Sequence, residues 1–260
     1  MQIGAFDCIG AAATEDAAMT DIAVNEAGEL WGVSEHNAYQ LAVQGSTVAC
    51  VKTISLSSTE TFYGLAFAPA GVIGSTEALV AANTAGELWV IDTTTGSLTQ
   101  HGKFGTVPAN DGHGHTYPHP AVAWELSGDI VFLANGGSPL GFATVRDCTS
   151  PPSTTDCDAT DTLIEIDTSL LATAGTQVVT KSVRGQIVKS AKCTDTVNAV
   201  YGSMYGIAAY GTQVYGFSHL GYIVSIENSD GTACLVLSTP TDDWAGAAIS
   251  TLAPVQPPIL

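Results

Sequence analysis

Basic residues are scarce in this sequence: 7 lysines and arginines stand against 25 aspartates and glutamates, for a formal charge of −18. A chain so acidic is repelled by phosphate backbones and anionic membranes, which argues against a nucleic-acid partner. Long apolar runs are missing as well, and none reaches the roughly 18 residues that mark a membrane-spanning helix. Met1-Gln2-Ile3-Gly4 lacks the basic and apolar stretches of a signal peptide, so a secreted form is expected to derive from a longer precursor. Charged residues are only 12% of the chain, too few for the Glu- and Lys-rich surfaces of a helical bundle; the abundant small residues suit short strands and tight turns. No Cys-x-x-Cys pair occurs, which disfavours zinc ribbons, thioredoxin chemistry and c-type haem. The Gly-x-Ser-x-Gly nucleophile elbow and the Asn-x-Ser/Thr glycosylation sequon are also absent.

What is present is an even set of cysteines with a repeated spacing. Cys8 and Cys50 lie 42 positions apart, and Cys193 and Cys234 lie 41 apart, as two copies of one staple. Cys148 and Cys157 are then left for each other, closing a short Thr/Ser/Pro excursion. Disulfides of this kind persist in an oxidising compartment, so a secreted or cell-surface location is expected.

The chain also repeats itself. Thr20-Asp21-Ile22-Ala23-Val24, Tyr63-Gly64-Leu65-Ala66-Phe67, Pro120-Ala121-Val122-Ala123-Trp124, Tyr205-Gly206-Ile207-Ala208-Ala209 and Trp244-Ala245-Gly246-Ala247-Ala248 align without gaps, each with alanine in fourth place. Small side chains in one register suit the innermost strands of a β-propeller, where the blades converge on the axis. Further strand-length apolar runs follow, divided by Gly, Asn and Asp turns. The expected fold is all-β, a single propeller over 1–260 with about four antiparallel strands per blade. The blade-like repeats run over about 20–56, 62–105, 120–192 and 204–240, with a closing segment of 243–260 joined by 1–9. Four or five blades are compatible with this pattern. Closure is open at this stage: both termini complete a reduced last blade, a single strand clasps a four-bladed ring, or another chain supplies strands. The last route would give a homo-oligomer or a filament.

Gly28-Glu29-Leu30-Trp31 returns as Gly86-Glu87-Leu88-Trp89, and the second copy leads through Asp92 into a Thr-Thr-Gly turn. This resembles the repeats of secreted bacterial propellers of the YVTN or quinoprotein-like superfamily, across residues 20–250. The resemblance implies the fold and no catalytic residue, because that superfamily hosts unrelated functions.

Three clusters could carry chemistry. His113, His115 and His119, with Asp111, could hold zinc or copper on a bent, glycine-rich loop, with His101 and His219 as additional ligands. Asp156, Asp158 and Asp161, near Asp147, suggest the less favoured calcium, without the glycine and glutamate of a helix-loop-helix site. Tyr63, Tyr205 and Trp244 begin inner strands and would gather at one rim as a binding surface for a protein or carbohydrate partner. With no catalytic constellation in view, an extracellular binding or structural protein is expected over an enzyme; the alternative is a metal-dependent secreted hydrolase or lyase using the histidine loop.

Overall fold

The computed structural model describes residues 4–10, 16–56, 60–149, 156–196, 201–211, 213–239 and 242–253. Four sheets stand in a ring as the blades of a β-propeller. The first comprises β1 (Ala5–Phe6), β2 (Met19–Val24), β3 (Leu30–Ser34), β4 (Asn37–Gln44) and β5 (Thr47–Ser55); the second begins with β6 (Phe62–Ala68), β7 (Ala78–Asn83), β8 (Glu87–Ile91) and β9 (Leu98–Lys103). The third is built from β10 (Glu125–Leu133), β11 (Leu140–Arg146), β12 (Thr162–Ile166) and β14 (Thr180–Gln186). Between its last two strands the chain lends β13 (Gly175–Val178) to the outer edge of β9 in blade two. The fourth has β15 (Met204–Tyr210), β16 (Gln213–Ser218), β17 (Tyr222–Ile226) and β18 (Ala233–Ser238).

Apolar faces of adjacent blades make the core. Ile54, Phe62, Leu65 and Leu79 fill the seam between blades one and two, Leu88, Trp124, Ile130 and Ile164 the next, and Phe142, Leu163, Ile207 and Val224 the one after. Full burial of such side chains contributes roughly 1.5–3 kcal/mol each, which favours the stacked arrangement over isolated sheets. The seam between blades four and one is closed by the segment 244–250. Its Ser250 bridges Val24 in parallel, and its Ala247 donates its N–H to Asp21.

All three disulfides pair as expected from the spacing. The two long ones act alike, each clipping a parallel segment onto the outermost strand of a blade. Cys8–Cys50 follows the pairing of Ala5 and Phe6 with Thr47 and Val48. Cys193–Cys234 follows that of Lys189 with Ala233, where Ala233 donates to the Val188 carbonyl and Ser190 donates to the Ala233 carbonyl. Cys148–Cys157 ties the neck of the excursion between β11 and β12; the Thr/Ser/Pro residues 150–155 lie outside the described residues.

Two expectations need correction. The third inner strand is Glu125–Leu133, buried along its whole length, and not Pro120–Trp124. The latter segment pairs instead with residues 105–107, Ala121 taking φ of 73° between two N–H donations across that ladder. Val131 occupies the fourth place where the other repeats carry alanine, which is why the alignment slips to Ala123. The second correction concerns closure: Ala5–Phe6 edges blade one rather than joining 243–253 in a last blade. Residues 1–3 and 254–260 of that expected blade lie outside the described residues.

Candidate functional site

With β10 in register, Asp21, Gly64, Asp129 and Gly206 align in the inner strands; the closing segment, which forms no strand over 242–249, brings Gly246 to this level, one residue on from the Ala245 of the repeat alignment. In β2, β6, β10 and β15 a ladder irregularity falls at or just before this position. The two aspartates meet on the axis, both buried and hydrogen-bonded to each other. Leu65 and Ala247 donate their N–H groups to Asp21 Oδ2 and Oδ1 at 2.6 and 3.2 Å, and Ile207 and Ile130 donate to Asp129 Oδ2 and Oδ1 at 2.8 and 2.6 Å. Three of these donors follow Gly64, Gly206 and Gly246. A Cβ at Gly246 would lie 2.3 Å from Asp21 Oδ1, so this close approach requires glycine. Burial raises both carboxyls. The charge of Asp129 and its hydrogen bond raise Asp21 further, while Asp129 is pushed up to about 7 by burial against its hydrogen bonds. The pair therefore holds at least one proton between its carboxyls below about pH 7.

Above this plug the ring opens into a cavity of about 620 Å³, within the size range of small-ligand sites. Every blade contributes to its wall. Glu35 comes from the β3–β4 turn, Glu60 and Tyr63 from the start of blade two, Glu125 and Ser127 from β10, Arg146 from the end of β11. Tyr205 and His219 come from blade four, and Asp243 from the closing segment. Below the plug the axis narrows to a void of about 10 Å³, between Ala23, Ala66, Val131 and Ala247.

The wall is electrostatically negative. Arg146 faces Glu125 across the β10–β11 ladder and reaches Asp161 at 3.5 Å, so two carboxylates flank its charge. Burial raises the Asp161 carboxyl, opposed by Arg146, by the Met204 N–H at 2.6 Å and by the nearby Ser127 hydroxyl. Ser127 Oγ nonetheless lacks a partner in hydrogen-bond geometry among the described residues, and Ser127 is 8% exposed. His219 pairs with Asp243 and lies against Tyr205 with ring centroids 4.9 Å apart. Burial, then the charges of Glu35, Tyr205 and Glu125, push the Tyr63 phenol up.

The structure brings Tyr63 and Tyr205 together in this cavity and sends Trp244 elsewhere. The Trp244 ring packs on Phe217 at 5.8 Å and its indole N–H donates to Thr239 Oγ1 at 3.1 Å. The histidine loop and the acidic loop, separate in sequence, face each other. His115 Nε2 contacts Asp158 at 2.8 Å, and His119 lies 3.3 Å from Asp147 and 3.8 Å from Asp156 through its two ring nitrogens. His113 instead adjoins Gly185 and the carboxylate of Asp230. Asp111 is spent on the loop itself, accepting the N–H groups of His113 and His115 at 2.7 and 3.0 Å. The three imidazoles thus turn to different carboxylates and do not converge. Asp161 has left the acidic set for Arg146, and His101 is buried with its Nδ1 at 2.7 Å from the Leu171 carbonyl.

Among the described residues, Asp16, Glu35 and His36 do form a close trio of metal-ligand types. Asp16 is already committed there. Burial favours its neutral form, but hydrogen bonds from Ser34, His36 and Asn37 outweigh it and hold the carboxyl below its usual range.

No protein-family model and no curated protein matches this sequence. Among solved structures, the glutaminyl cyclase of Myxococcus xanthus is similar at 12% identity and a TM-score of 0.45, over 89% of this chain and 80% of that one. A chain of the Chaetomium thermophilum polycomb repressive complex 2, in a humanized mutant, aligns at 9% identity and a TM-score of 0.40, over 95% of this chain. The present chain spans only 43% of that one. Likeness at this level transfers no activity.

Proposed function

We propose that this chain is an extracellular binding protein, a disulfide-stapled bacterial propeller of the YVTN or quinoprotein-like kind, whose ligand seats in the axial funnel. The observation that carries the reading is the cavity of about 620 Å³, walled by all four blades and the closing segment and floored by the Asp21–Asp129 pair. Such a floor makes the funnel blind, so a small molecule or one inserted side chain of a protein or carbohydrate partner is held rather than passed through. Three disulfides and the absence of free cysteine among the described residues support an oxidising compartment.

A metal-dependent hydrolase or lyase at His113, His115 and His119 draws less support, because zinc or copper there would have to pull each imidazole from its present carboxylate. Self-association by strand exchange would require the segment 244–250 to leave its own seam for that of a neighbour.

A screen of immobilised peptides and glycans tests the binding reading. Ala18→Trp places a large ring at an exposed position of the funnel wall. Binding lost in this variant, with unchanged thermal stability, is the expected result. Binding that survives it intact would move the site off the axis.

A further inference from the structure

We infer that the funnel selects aliphatic ammonium groups, presented by a small free amine or by a lysine side chain; this rests on the binding reading above. Four carboxylates line the cavity, from Glu35, Glu60, Glu125 and Asp243, against a single guanidinium, that of Arg146. That guanidinium is itself held by Asp161, so it adds little positive field to the open volume. The acidic groups come from blades one, two and three and from the closing segment, so their field converges on the axis. A cleft with one sign of charge and low-dielectric walls focuses that field on an entering ion.

Two observations besides charge point to a ligand of this type. Tyr63 and Tyr205 present aromatic surface to the same volume, and a cation over a phenol ring is attracted by its quadrupole. The Ser127 hydroxyl, buried beside Asp161 and without a partner in hydrogen-bond geometry among the described residues, offers its oxygen as an acceptor at the cavity wall. Carboxylates, aromatic faces and a hydroxyl acceptor suit an N–H-rich cation on an apolar stem. A carboxylate or phosphate would meet only the compensated Arg146 and the His219–Asp243 pair.

The test compares three five-carbon probes by calorimetry at neutral pH: 1,5-diaminopentane, 1,5-pentanediol and glutarate. Nα-acetyl-lysinamide serves as a fourth arm for a lysine side chain. The diamine or the lysinamide is expected to bind at least tenfold tighter than the diol, with glutarate weakest. Whichever of the first two binds tighter indicates a free amine or a protein partner as the source. Affinity should fall at least fivefold in the Glu35→Gln/Glu60→Gln variant, and in the wild type as salt rises from 50 to 500 mM. The salt series keeps the test decisive should the double variant fold poorly. Equal binding of diol and diamine, preferred binding of glutarate, or no binding by either amine at millimolar concentration would overturn the inference. If Ala18→Trp still abolishes binding of a neutral ligand from the array, the funnel reading stands and only the charge selectivity fails.

Discussion

Asp129→Asn should reduce a pH dependence of stability that runs opposite to ordinary acid denaturation. Asp129 is pushed up to about 7 by burial, and Asp21, buried beside it, is raised as well. A carboxyl raised on folding contributes fully below the unfolded aspartate value of about 4, and the contribution is lost as pH rises through about 7. Moving one aspartate over that interval corresponds to roughly 4 kcal/mol, of which about 3 kcal/mol falls between pH 5 and pH 8. For a chain of this size that amounts to roughly 6–12 °C in melting temperature. The wild type should therefore melt higher at pH 5 than at pH 8. The general repulsion of a chain with a formal charge of −18 acts in the same direction, so the variant is needed to separate the two effects. In Asp129→Asn the side-chain carbonyl can still accept from Ile207, and the amide can donate to an ionised Asp21; the slope between pH 5 and 8 should shrink by about 3 kcal/mol. Guanidinium titrations followed by circular dichroism, with disulfides intact, measure both. An unchanged slope in the variant, or a wild type more stable at pH 8 than at pH 5, would refute the shared proton.

Gly246→Ala should free the closing segment by driving a methyl into Asp21, and limited proteolysis should then cut near 242–253 well before any other site. Replacing Cys8 and Cys50 by serine removes a loop constraint spanning 42 positions and should cost about 4 kcal/mol on the chain-entropy account, read as a lower denaturation midpoint with unchanged far-ultraviolet spectrum. Zinc titration at neutral pH should leave far less than one equivalent after dialysis; a full equivalent lost in His113→Ala/His115→Ala would restore the metal reading of that loop. Light scattering at high concentration should report a monomer, and a concentration-dependent dimer abolished by shortening 244–253 would establish exchange instead.

The ring and its staples are legible in the sequence because they are local. Alanine at the fourth place marks strands that approach the axis, Ala23 and Ala66 among them, and the staple spacings of 42 and 41 each match one blade. The pattern misleads where one side chain breaks it. Val131 replaces alanine, so the third repeat settles on Ala123 and Asp129 aligns with nothing. Once that strand is set correctly, Asp21 and Asp129 stand out as the only acids in a column whose other members are Gly64, Gly206 and the Ala245–Gly246 pair, a signal the sequence does contain. Strand β13 could not be foreseen, since its partner β9 belongs to another repeat and its pattern is weak. The funnel is hidden for a different reason. Glu35, Glu60, Glu125 and Asp243 are ordinary surface-type residues in sequence and become neighbours only after closure. The histidine loop is not fully legible either, because proximity along the chain says nothing of which way each ring turns.

The three disulfides bridge separations of 9, 41 and 42, whereas the Ala247–Asp21 hydrogen bond spans 226. A chain emerging residue by residue can therefore oxidise every staple while its first blade still waits for the segment that completes the circle. During that interval Asp21 stands at an open seam, where water can keep it ionised. Arrival of residues 244–250 dehydrates it, and the last step of maturation should take up a proton. Long-range closure of this kind is slow compared with hairpin formation. The rate of that step should then rise as the surrounding medium becomes more acidic, and the ring would be finished fastest where protons are plentiful.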